Sequence, residues 1–471
     1  MIHLCRRVAN ILSKYHGRIT VDAMLVRHKN SGKHPTAGII VIGDEILKAQ
    51  VKDTNSFYAC SLLYKHGVKV QKISVVRDNT EDIAEEINLF SEKYNYVFTT
   101  GGIGPTHDDV TYEAVALAFH DTLHYHSTLV EIVKNRFGCK NFPSPSYKMA
   151  YVPTKSELKF GINEATGQPF PYPCIVMRNV FVFPGSPKFF ESSFQALCKE
   201  FFAFYRRFAT AEVYVNANEE SFANVLTAVV QECPNVSFGS YPEHSRYYKA
   251  RVTIESENEE DTETARRMFC ERISTDALVE YDRTPHVDCL AKYEKLLMQR
   301  QPQRRSIHES SFEKFVNYYQ KPEEVWIYLD GSDESIVMVH LARVANCKLR
   351  QSSKSKLHAF YFNFDHLESG MIEFLREISD RYNVELYSLR SNESDICRLI
   401  ASRPELQILL LGKRSNSNEK EIYENLTRFS DNKSPVQIHF PLIDWSDEDV
   451  SSFVVSLSLP YYTTGETQLA R

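Results

Sequence analysis

Signatures of several common protein classes are missing from this sequence of 471 residues. Its ten cysteines include no Cys-x-x-Cys spacing, which argues against a zinc ribbon and a small disulfide scaffold. No Gly-x-Ser-x-Gly segment is present, so the nucleophile turn of the α/β-hydrolases is excluded. No apolar run is long enough to cross a membrane, since the strongest segments, such as Ile408–Leu411, have the length of a strand.

An excess of positive charge is also lacking. Lysine and arginine number 55 against 61 aspartates and glutamates, and the net charge of −6 gives no reason to expect a nucleic-acid partner. The scattered cysteines are typical of reduced thiols, so we predict a cytoplasmic protein. The basic segment 1–32, within an N-terminal extension of residues 1–35, leaves a mitochondrial presequence and a matrix location as the alternative.

Strands and helices alternate from Gly38 onward, which predicts a parallel sheet covered by helices on both faces. The predicted strands of this part are Gly38–Ile42, Val68–Val76 and Tyr96–Thr100, and the predicted helices are Asp53–His66 and Glu81–Phe90. A second α/β series has predicted strands at Val325–Leu329, Leu357–Phe364, Val384–Leu389, Gln407–Gly412 and Val436–Phe440, with a helix at Met371–Tyr382. The length fits two or three domains, and we predict two parallel-sheet α/β domains linked by a small α+β unit.

The small unit is predicted from strands at Val236–Pro242 and Tyr248–Ile254 and a helix at Glu260–Ile273. The predicted boundaries are 36–205 for the first domain, 206–285 for the small unit, 286–320 for a linker or helix and 321–471 for the last domain. The polar, basic run Arg300–Arg305 is typical of a linker.

A glycine-rich turn follows the strand that ends at Thr100 and opens the next helix. It reads Gly101-Gly102-Ile103-Gly104-Pro105-Thr106-His107-Asp108-Asp109. Backbone N–H groups in such a turn favour phosphate, and two adjacent carboxylates beside a phosphate favour a bridging Mg²⁺ or another divalent cation. The alternative is a tight loop in which Asp108 or Asp109 only caps the helix. His107 is either an acid–base group or a solvated loop residue.

The first domain resembles the molybdopterin-binding family, in the branch shared with the competence-damage-inducible proteins. The resemblance rests on the glycine turn and on Ile42–Leu47, Asp53–Asn55 and Pro184–Pro187. It implies metal-dependent hydrolysis of a nucleotide pyrophosphate, with Asp108 and Asp109 catalytic. It also implies metal ligands Asp44, Asp108 and Asp109 and ligand-binding residues Asp53, Asn55, Gly101, Gly102, Gly104, Thr106, Gly185 and Ser186.

The last domain resembles the phosphoadenosine-phosphosulfate reductase-like domain of the eukaryotic FAD synthases. The resemblance rests on Leu329–Ser335, Leu410–Arg414 and Phe440–Trp445. It implies that Gly331, Ser332, Ser335, Gly412, Asp444 and Trp445 bind ligand and that Arg414 is catalytic. Asp444 and Trp445 have a second interpretation, as a helix cap and a core aromatic.

The phosphate loop of this last domain departs from the family. The family has a Gly-Gly-Lys-Asp core whose lysine offsets the charge of ATP, and this chain has Gly331-Ser332-Asp333-Glu334 after Asp330. Three carboxylates at this place oppose the binding of a polyphosphate. Replacing Asp333 by lysine is therefore expected to tighten ATP binding.

Domain order and motifs together identify the chain as a member of the FAD synthase family. The implied function is FMN adenylyltransferase, which makes FAD and diphosphate from FMN and ATP. Two alternatives remain: hydrolysis of FAD or a nucleotide pyrophosphate in the first domain, and a non-catalytic flavin- or pterin-binding regulator. The expected ligands are FMN, ATP and FAD, and a homo-oligomer is expected.

Overall fold

The computed structural model describes residues 34–137, 144–163, 166–203, 205–243, 245–350, 355–363, 368–390, 393–415 and 436–463. The basic segment 1–32 lies outside these residues, so a presequence stays a prediction. The described residues form two compact units. The first contains the residues up to Ala211 with Cys233–Ser237 and Ile254–Ala265, and the second contains Glu212–Glu232, Phe238–Thr253 and the residues from Arg266 onward.

The first part of the chain contains ten strands and six helices among its described residues. The strands are β1 Thr36–Ile42, β2 Lys69–Val76, β3 Tyr96–Thr100, β4 Leu123–Tyr125, β5 Tyr151–Pro153, β6 Glu157–Lys159, β7 Ile162–Asn163, β8 Gln168–Pro169, β9 Cys174–Met177 and β10 Val180–Phe183. The helices are α1 Asp44–Leu47, α2 Asn55–Lys65, α3 Thr80–Lys93, α4 Thr111–Ala118, α5 Ser127–Phe137 and α6 Pro187–Phe202, with a 3₁₀ turn at Pro145–Ala150.

The main sheet of this part has the order β2-β1-β3-β10-β9-β6. β2, β1, β3 and β10 run parallel, and β9 runs antiparallel to β10. β6 pairs antiparallel with β9 and therefore runs in the direction of the first four strands. Alternate residues of β1 lie on opposite faces, with Ile40 and Ile42 in one apolar cluster and Ile39 and Val41 in another. Burial of each such side chain contributes about 1.5–3 kcal/mol. The predicted α/β fold is confirmed here, with the two added strands β9 and β6 that the sequence pattern did not indicate.

A smaller sheet follows, with the order β12-β13-β11-β14. Its strands are β11 Ala209–Val215, β12 Ser237–Pro242, β13 Ala250–Ser256 and β14 Leu278–Val279, and its helices are α7 Glu219–Glu232 and α8 Glu259–Arg272, with a 3₁₀ turn at Thr275–Ala277. These residues form the predicted α+β arrangement, although they are divided between the two compact units.

The last part of the chain is a fully parallel sheet with the order β17-β16-β15-β18-β19. Its strands are β15 Val325–Tyr328, β16 Leu357–Phe362, β17 Val384–Leu389, β18 Ile408–Leu410 and β19 Gln437–His439. The helices are α9 Cys289–Gln299, α10 Pro302–Tyr318, α11 Asp333–Arg350, α12 Ser369–Tyr382, α13 Glu393–Ser402 and α14 Asp447–Ser456, with a 3₁₀ turn at Pro322–Glu324. All five predicted strands are present. β17 has its predicted bounds, and each of the other four is shorter than predicted, by at most two residues at either end.

Of the two interpretations predicted for residues 286–320, linker or helix, the structure shows helices, and most of the run Arg300–Arg305 lies in one of them. Arg300 and Gln301 separate two helices, and Pro302 is the first residue of α10. Proline suits that position because its missing N–H has no partner in the first turn of a helix. The basic residues after it therefore lie on a helix. No helix in the described part of the chain has both the length and the apolar character that a membrane span requires.

Candidate functional site

Three glycine-containing turns meet at the carboxyl edge of the first sheet. They follow β1, β3 and β10, which are parallel neighbours. The Asn55 amide nitrogen donates to the Thr100 hydroxyl at 2.9 Å and to the Gly185 carbonyl at 2.8 Å. Asn55 thus joins the turns after β3 and β10. Both turns lie at the carboxyl ends of parallel strands, where ligands bind in sheets of this type. Asn55 is buried and outside the cavity lining, so its side chain joins the turns and does not face the cavity.

The turn after β3 requires glycine. Gly101 and Gly102 have φ angles of +110° and +63°. A Cβ on Gly101 would lie 2.0 Å from the Ile42 carbonyl oxygen, and one on Gly102 would lie 2.3 Å from the Thr111 hydroxyl. That hydroxyl donates to the Gly101 carbonyl at 2.9 Å, which ties the turn to the first residue of α4. Only glycine allows this path.

Asp109 organises the end of the same turn. Its carboxylate accepts hydrogen bonds from the Thr106 amide at 2.8 Å and the Thr106 hydroxyl at 2.5 Å. Gly104 passes so close to this carboxylate that a Cβ there would lie 2.6 Å from it. Asp109 therefore shapes the loop as well as lining the cavity. Asp108 is more exposed, and the Thr106 hydroxyl is the main cause of its lowered pKa.

His107 points into solvent. Its side chain is 99% exposed, and its Nδ1 lies 3.9 Å from an Asp108 oxygen. The solvated-loop interpretation therefore fits the structure better than the acid–base one.

A cavity of about 570 Å³ opens at this edge, a size typical of a small-ligand site. Its polar wall includes Gly101, Gly102, Gly104, Thr106, Asp108, Asp109, Gly185 and Ser186. Its apolar wall includes Met149, Phe170, Pro171, Tyr172 and Phe189. The Tyr172 hydroxyl donates to the Met149 carbonyl at 2.6 Å, and the Arg136 guanidinium lies 5.1 Å from the centre of the Phe189 ring. A flat ring and a phosphate could be bound together in such a cavity.

Asp78, in the turn after β2, also lines the cavity and was missed from the sequence. Its carboxylate accepts a hydrogen bond from the Asp44 amide at 2.8 Å. Burial raises its pKa, and the neighbouring carboxylates of Glu45, Asp44 and Asp108 raise it further. Its place after a parallel strand of the sheet was the available signal.

The predicted metal ligands do not form a ready metal centre. The Asp44 carboxylate pairs with Lys48 at 2.7 Å and is absent from the cavity lining. Asp53, which was predicted to bind ligand and not metal, accepts a hydrogen bond from the Ser56 amide in the first turn of α2 at 3.0 Å and also lies outside the lining. Within the described ranges, no three His, Cys, Asp or Glu residues are arranged to hold a metal ion. The residues present therefore do not fit a metal held by protein alone.

The second candidate site is the loop between β15 and α11. Gly331 has a φ of +80°, and the Ser332 amide and hydroxyl donate to the Asp330 carboxylate at 3.0 and 2.5 Å. The Ser332 hydroxyl accepts from the Ser335 amide at 3.3 Å, and the Ser335 hydroxyl donates to the Ser332 carbonyl at 2.9 Å. The loop therefore leads directly into the positive end of an 18-residue helix.

The carboxylates at the start of α11 are compensated by arginines. Asp333 accepts two hydrogen bonds from Arg246 Nη1, at 2.8 and 3.0 Å. Glu334 accepts from the Nε and Nη2 atoms of Arg414, at 2.9 and 2.8 Å. Gly412 allows this approach, because a Cβ there would lie 2.9 Å from the Glu334 Cβ. Two of the three carboxylates that the sequence placed in opposition to ATP, Asp333 and Glu334, therefore form ion pairs, whereas Asp330 accepts from the neutral donors of Ser332.

Arg414 and Arg246 each have further contacts. Nη1 of Arg414 lies 2.6 Å from the Asp447 carboxylate, and its side chain is only 9% exposed. The Arg246 guanidinium lies 4.3 Å from the centre of the Tyr461 ring, and the Arg246 amide donates to the Tyr461 hydroxyl at 2.7 Å. Sequence reasoning missed Arg246, since 87 residues separate it from Asp333.

Trp445 lies in the core, which fits its interpretation as a core aromatic better than its interpretation as a ligand residue. It is 2% exposed and stacks on His308 with ring centres 4.4 Å apart. Its indole N–H donates to the Ser311 hydroxyl at 2.9 Å. Asp444 is exposed and lies 3.4 Å from the Lys314 amine. The helix cap is Ser446, which forms a capping box with Asp449, and not Asp444.

Three family models match the chain in order. A probable molybdopterin binding domain matches residues 38–203, the middle domain of FAD synthase matches 207–282, and a phosphoadenosine phosphosulfate reductase domain matches 324–463. The chain thus combines two classes of α/β domain, each with a glycine loop at the carboxyl edge of its sheet.

Known proteins are similar either to nearly the whole chain or to one part of it. A probable FAD synthase of Caenorhabditis briggsae is 29% identical and aligns with 93% of this chain and 90% of its own length. A protein of Archaeoglobus fulgidus is 33% identical and aligns with 43% of this chain and 84% of its own length. The solved structure of Candida glabrata FMN adenylyltransferase with ATP is 16% identical, with a TM-score of 0.29 over 36% of this chain and 63% of that one. Over nearly its whole length the chain is similar to a probable FAD synthase, and residues 207–282 match the family model for the middle domain of that enzyme.

Proposed function

We propose that this chain is an FMN adenylyltransferase, which joins FMN to the adenylyl group of ATP and releases diphosphate. The observation that carries the proposal is the alignment of 93% of the chain with a probable FAD synthase, across three domains in the same order. In the reaction, a phosphate oxygen of FMN attacks the α-phosphorus of ATP and diphosphate leaves.

The loop between β15 and α11 supports binding of the ATP phosphates. Backbone N–H groups at the start of α11 supply donors, and the helix end supplies positive potential. Two guanidinium groups, of Arg246 and Arg414, lie within hydrogen-bond distance of carboxylates at this helix start. An arriving polyphosphate competes with those carboxylates for the same cations, because guanidinium binds both groups in a similar geometry. Charge compensation by these arginines takes the place of the family's loop lysine.

The substrate would be ATP with its own divalent cation, Mg²⁺ being the expected one. No cluster of three ligands for a resident metal exists among the described residues, so no resident ion enters this scheme. Metal dependence should therefore follow the ATP complex: activity should rise with Mg²⁺ until ATP is saturated and then level off.

The test is incubation of the full-length protein with FMN, ATP and Mg²⁺, followed by chromatography of the flavins. FAD and diphosphate formed in equal amounts support the proposal. An Arg414→Ala variant separates this protein's activity from a contaminant, since it should lose the product. Unchanged FMN after long incubation of folded protein would overturn the proposal.

A second activity, hydrolysis of FAD or a related nucleotide pyrophosphate, is favoured by the cavity of the first sheet. Glycine turns and carboxylates form one wall and aromatic side chains the other, which suits a flavin or pterin with attached phosphate. Incubation of the protein with FAD and a divalent cation should yield FMN and AMP. Binding of FAD without turnover would instead favour the non-catalytic regulator.

FMN, ATP and FAD are the ligands we propose for these sites. Homo-oligomer formation and a cytoplasmic or mitochondrial location stay predictions. Light scattering of the purified protein and imaging with and without residues 1–32 would test them.

A further inference from the structure

Two cysteine side chains meet between two helices of the second unit. Cys289 is the first residue of α9, and Cys347 lies in the last turn of α11. Their sulfur atoms are 3.9 Å apart, although 58 residues separate them in the chain. Cys289 is 1% exposed within the apolar cluster, and Cys347 is partly exposed and packs against the same cluster. One thiol is therefore accessible and its neighbour is sheltered.

We propose that Cys289 and Cys347 are a site of reversible disulfide formation, with a small disulfide of the glutathione type as oxidant. A disulfide needs sulfur atoms about 2.05 Å apart, so rotation of the two side chains must close a gap of roughly 2 Å. The link would join the start of α9 to the end of α11, the helix that begins at the phosphate loop.

The surroundings of the two sulfurs favour this chemistry. The Cys289 thiol donates its hydrogen to Cys347 Sγ, and this bond lowers the pKa of Cys347 to about 7. The same bond and burial raise the pKa of Cys289. The buried guanidinium of Arg343, one turn before Cys347, lowers the pKa of Cys347 further and only partly offsets the rise in the pKa of Cys289. Cys347 is thus the thiolate that attacks first, because a thiolate and not a thiol is the nucleophile.

The proposed reaction balances in two exchanges. The Cys347 thiolate attacks one sulfur of the small disulfide, forming a mixed disulfide and releasing one thiolate. Cys289 loses its proton and attacks Sγ of Cys347, which forms the internal disulfide and releases the second thiolate. Two protein thiols lose two protons and two electrons, and one small disulfide is reduced to two small thiols.

Three cysteines of the first unit differ from this pair in exposure or in surroundings. Cys174 and Cys198 are buried in the first unit, and burial raises the pKa of each. Cys60 is partly exposed, but burial and the Asp53 carboxylate raise its pKa. Cys60 is therefore a suitable control position, because it is partly exposed like Cys347 and its pKa is shifted in the opposite direction.

The test uses the full-length folded protein, treated with excess oxidised glutathione at neutral pH. The protein is then unfolded in excess N-ethylmaleimide, so that every remaining thiol is blocked, including the sheltered Cys289, and the digest is analysed by mass spectrometry with and without a reducing agent. We expect one cross-linked peptide pair that contains Cys289 and Cys347 and disappears on reduction. The Cys60→Ser variant should give the same pair, and Cys289→Ser should stop at a glutathione adduct on Cys347.

Full blocking of both cysteines by N-ethylmaleimide after this treatment would overturn the proposal. A persistent glutathione adduct on Cys347 in the wild-type protein would overturn it as well, because Cys289 would then have failed to attack. Circular dichroism before and after treatment establishes that the protein stays folded in each case. None of these readouts depends on FAD formation.

Discussion

The two glycine loops of this protein both carry carboxylates at a proposed phosphate site, and different groups donate hydrogen bonds to those carboxylates. In the first sheet, the Asp109 carboxylate accepts from the amide and hydroxyl of Thr106, which are neutral donors. At the start of α11, Asp333 and Glu334 instead face the arginines Arg246 and Arg414. Neutral donors leave the negative charge of a site in place, whereas guanidinium groups cancel it. The second loop therefore has cations ready for a polyphosphate, and the first retains an acidic wall.

The largest expected effect concerns the shape of the first loop. Gly101→Ala places a Cβ 2.0 Å from the Ile42 carbonyl at a φ of +110°, so we expect a loss of about 3 kcal/mol or more in unfolding free energy. Gly167→Ala is the matched control, because its φ is +65° with nothing within 4 Å, and it should cost only about 1 kcal/mol. Denaturant unfolding measures both. Equal effects of the two substitutions would contradict the predicted clash.

The next largest effect is expected from breaking the ion pair between Arg414 and Glu334 in the second loop. Arg414→Ala leaves the half-buried Glu334 without its guanidinium, and we expect a loss of about 3 kcal/mol in stability together with loss of FAD formation. Adding Glu334→Gln in the same chain should recover most of the stability and none of the activity. A double variant that regains full synthesis would show that Arg414 serves only to neutralise Glu334.

The Asp333 position sharpens the comparison, because the resemblance to the family implies a lysine there. Asp333→Lys releases Arg246 and adds a cation, so ATP should bind about tenfold more tightly, equivalent to about 1.4 kcal/mol. Asp333→Asn releases Arg246 without adding charge and should give a smaller gain. Isothermal titration of ATP into the full-length protein measures both. No gain in either variant would show that the Asp333 carboxylate does not oppose the ATP phosphates.

The smallest effect is expected at Trp445, where a substitution distinguishes a role in core packing from a role in binding FMN. Trp445→Phe removes the hydrogen bond to Ser311 and part of a buried ring, so we expect a loss of about 1–2 kcal/mol in stability and unchanged FMN affinity. Asp444→Asn, at an exposed neighbour, should change neither quantity. A large loss of FMN affinity in the tryptophan variant with normal stability would restore its predicted ligand role.

Local patterns in the sequence predicted the strands, the glycine turns and the α/β class, because alternation and turn chemistry are local properties. They did not reveal Arg246, since its partner Asp333 is 87 residues away. The fate of Trp445 was also undecided, because an aromatic before a helix suits a core as well as a ligand. Its contact with His308 on α10 decided it. The run Arg300–Arg305 did not decide between linker and helix, because polar composition is shared by linkers and exposed helices.

The central claim is that the first loop serves FAD hydrolysis and the second serves FAD synthesis. One paired measurement tests this claim most directly. FAD synthesis and FAD hydrolysis are assayed side by side in the wild-type protein, Asp109→Ala and Arg414→Ala. We predict that Asp109→Ala abolishes hydrolysis and retains synthesis, whereas Arg414→Ala abolishes synthesis and retains hydrolysis. Loss of synthesis in a folded Asp109→Ala protein, or retention of synthesis in Arg414→Ala, would contradict the assignment.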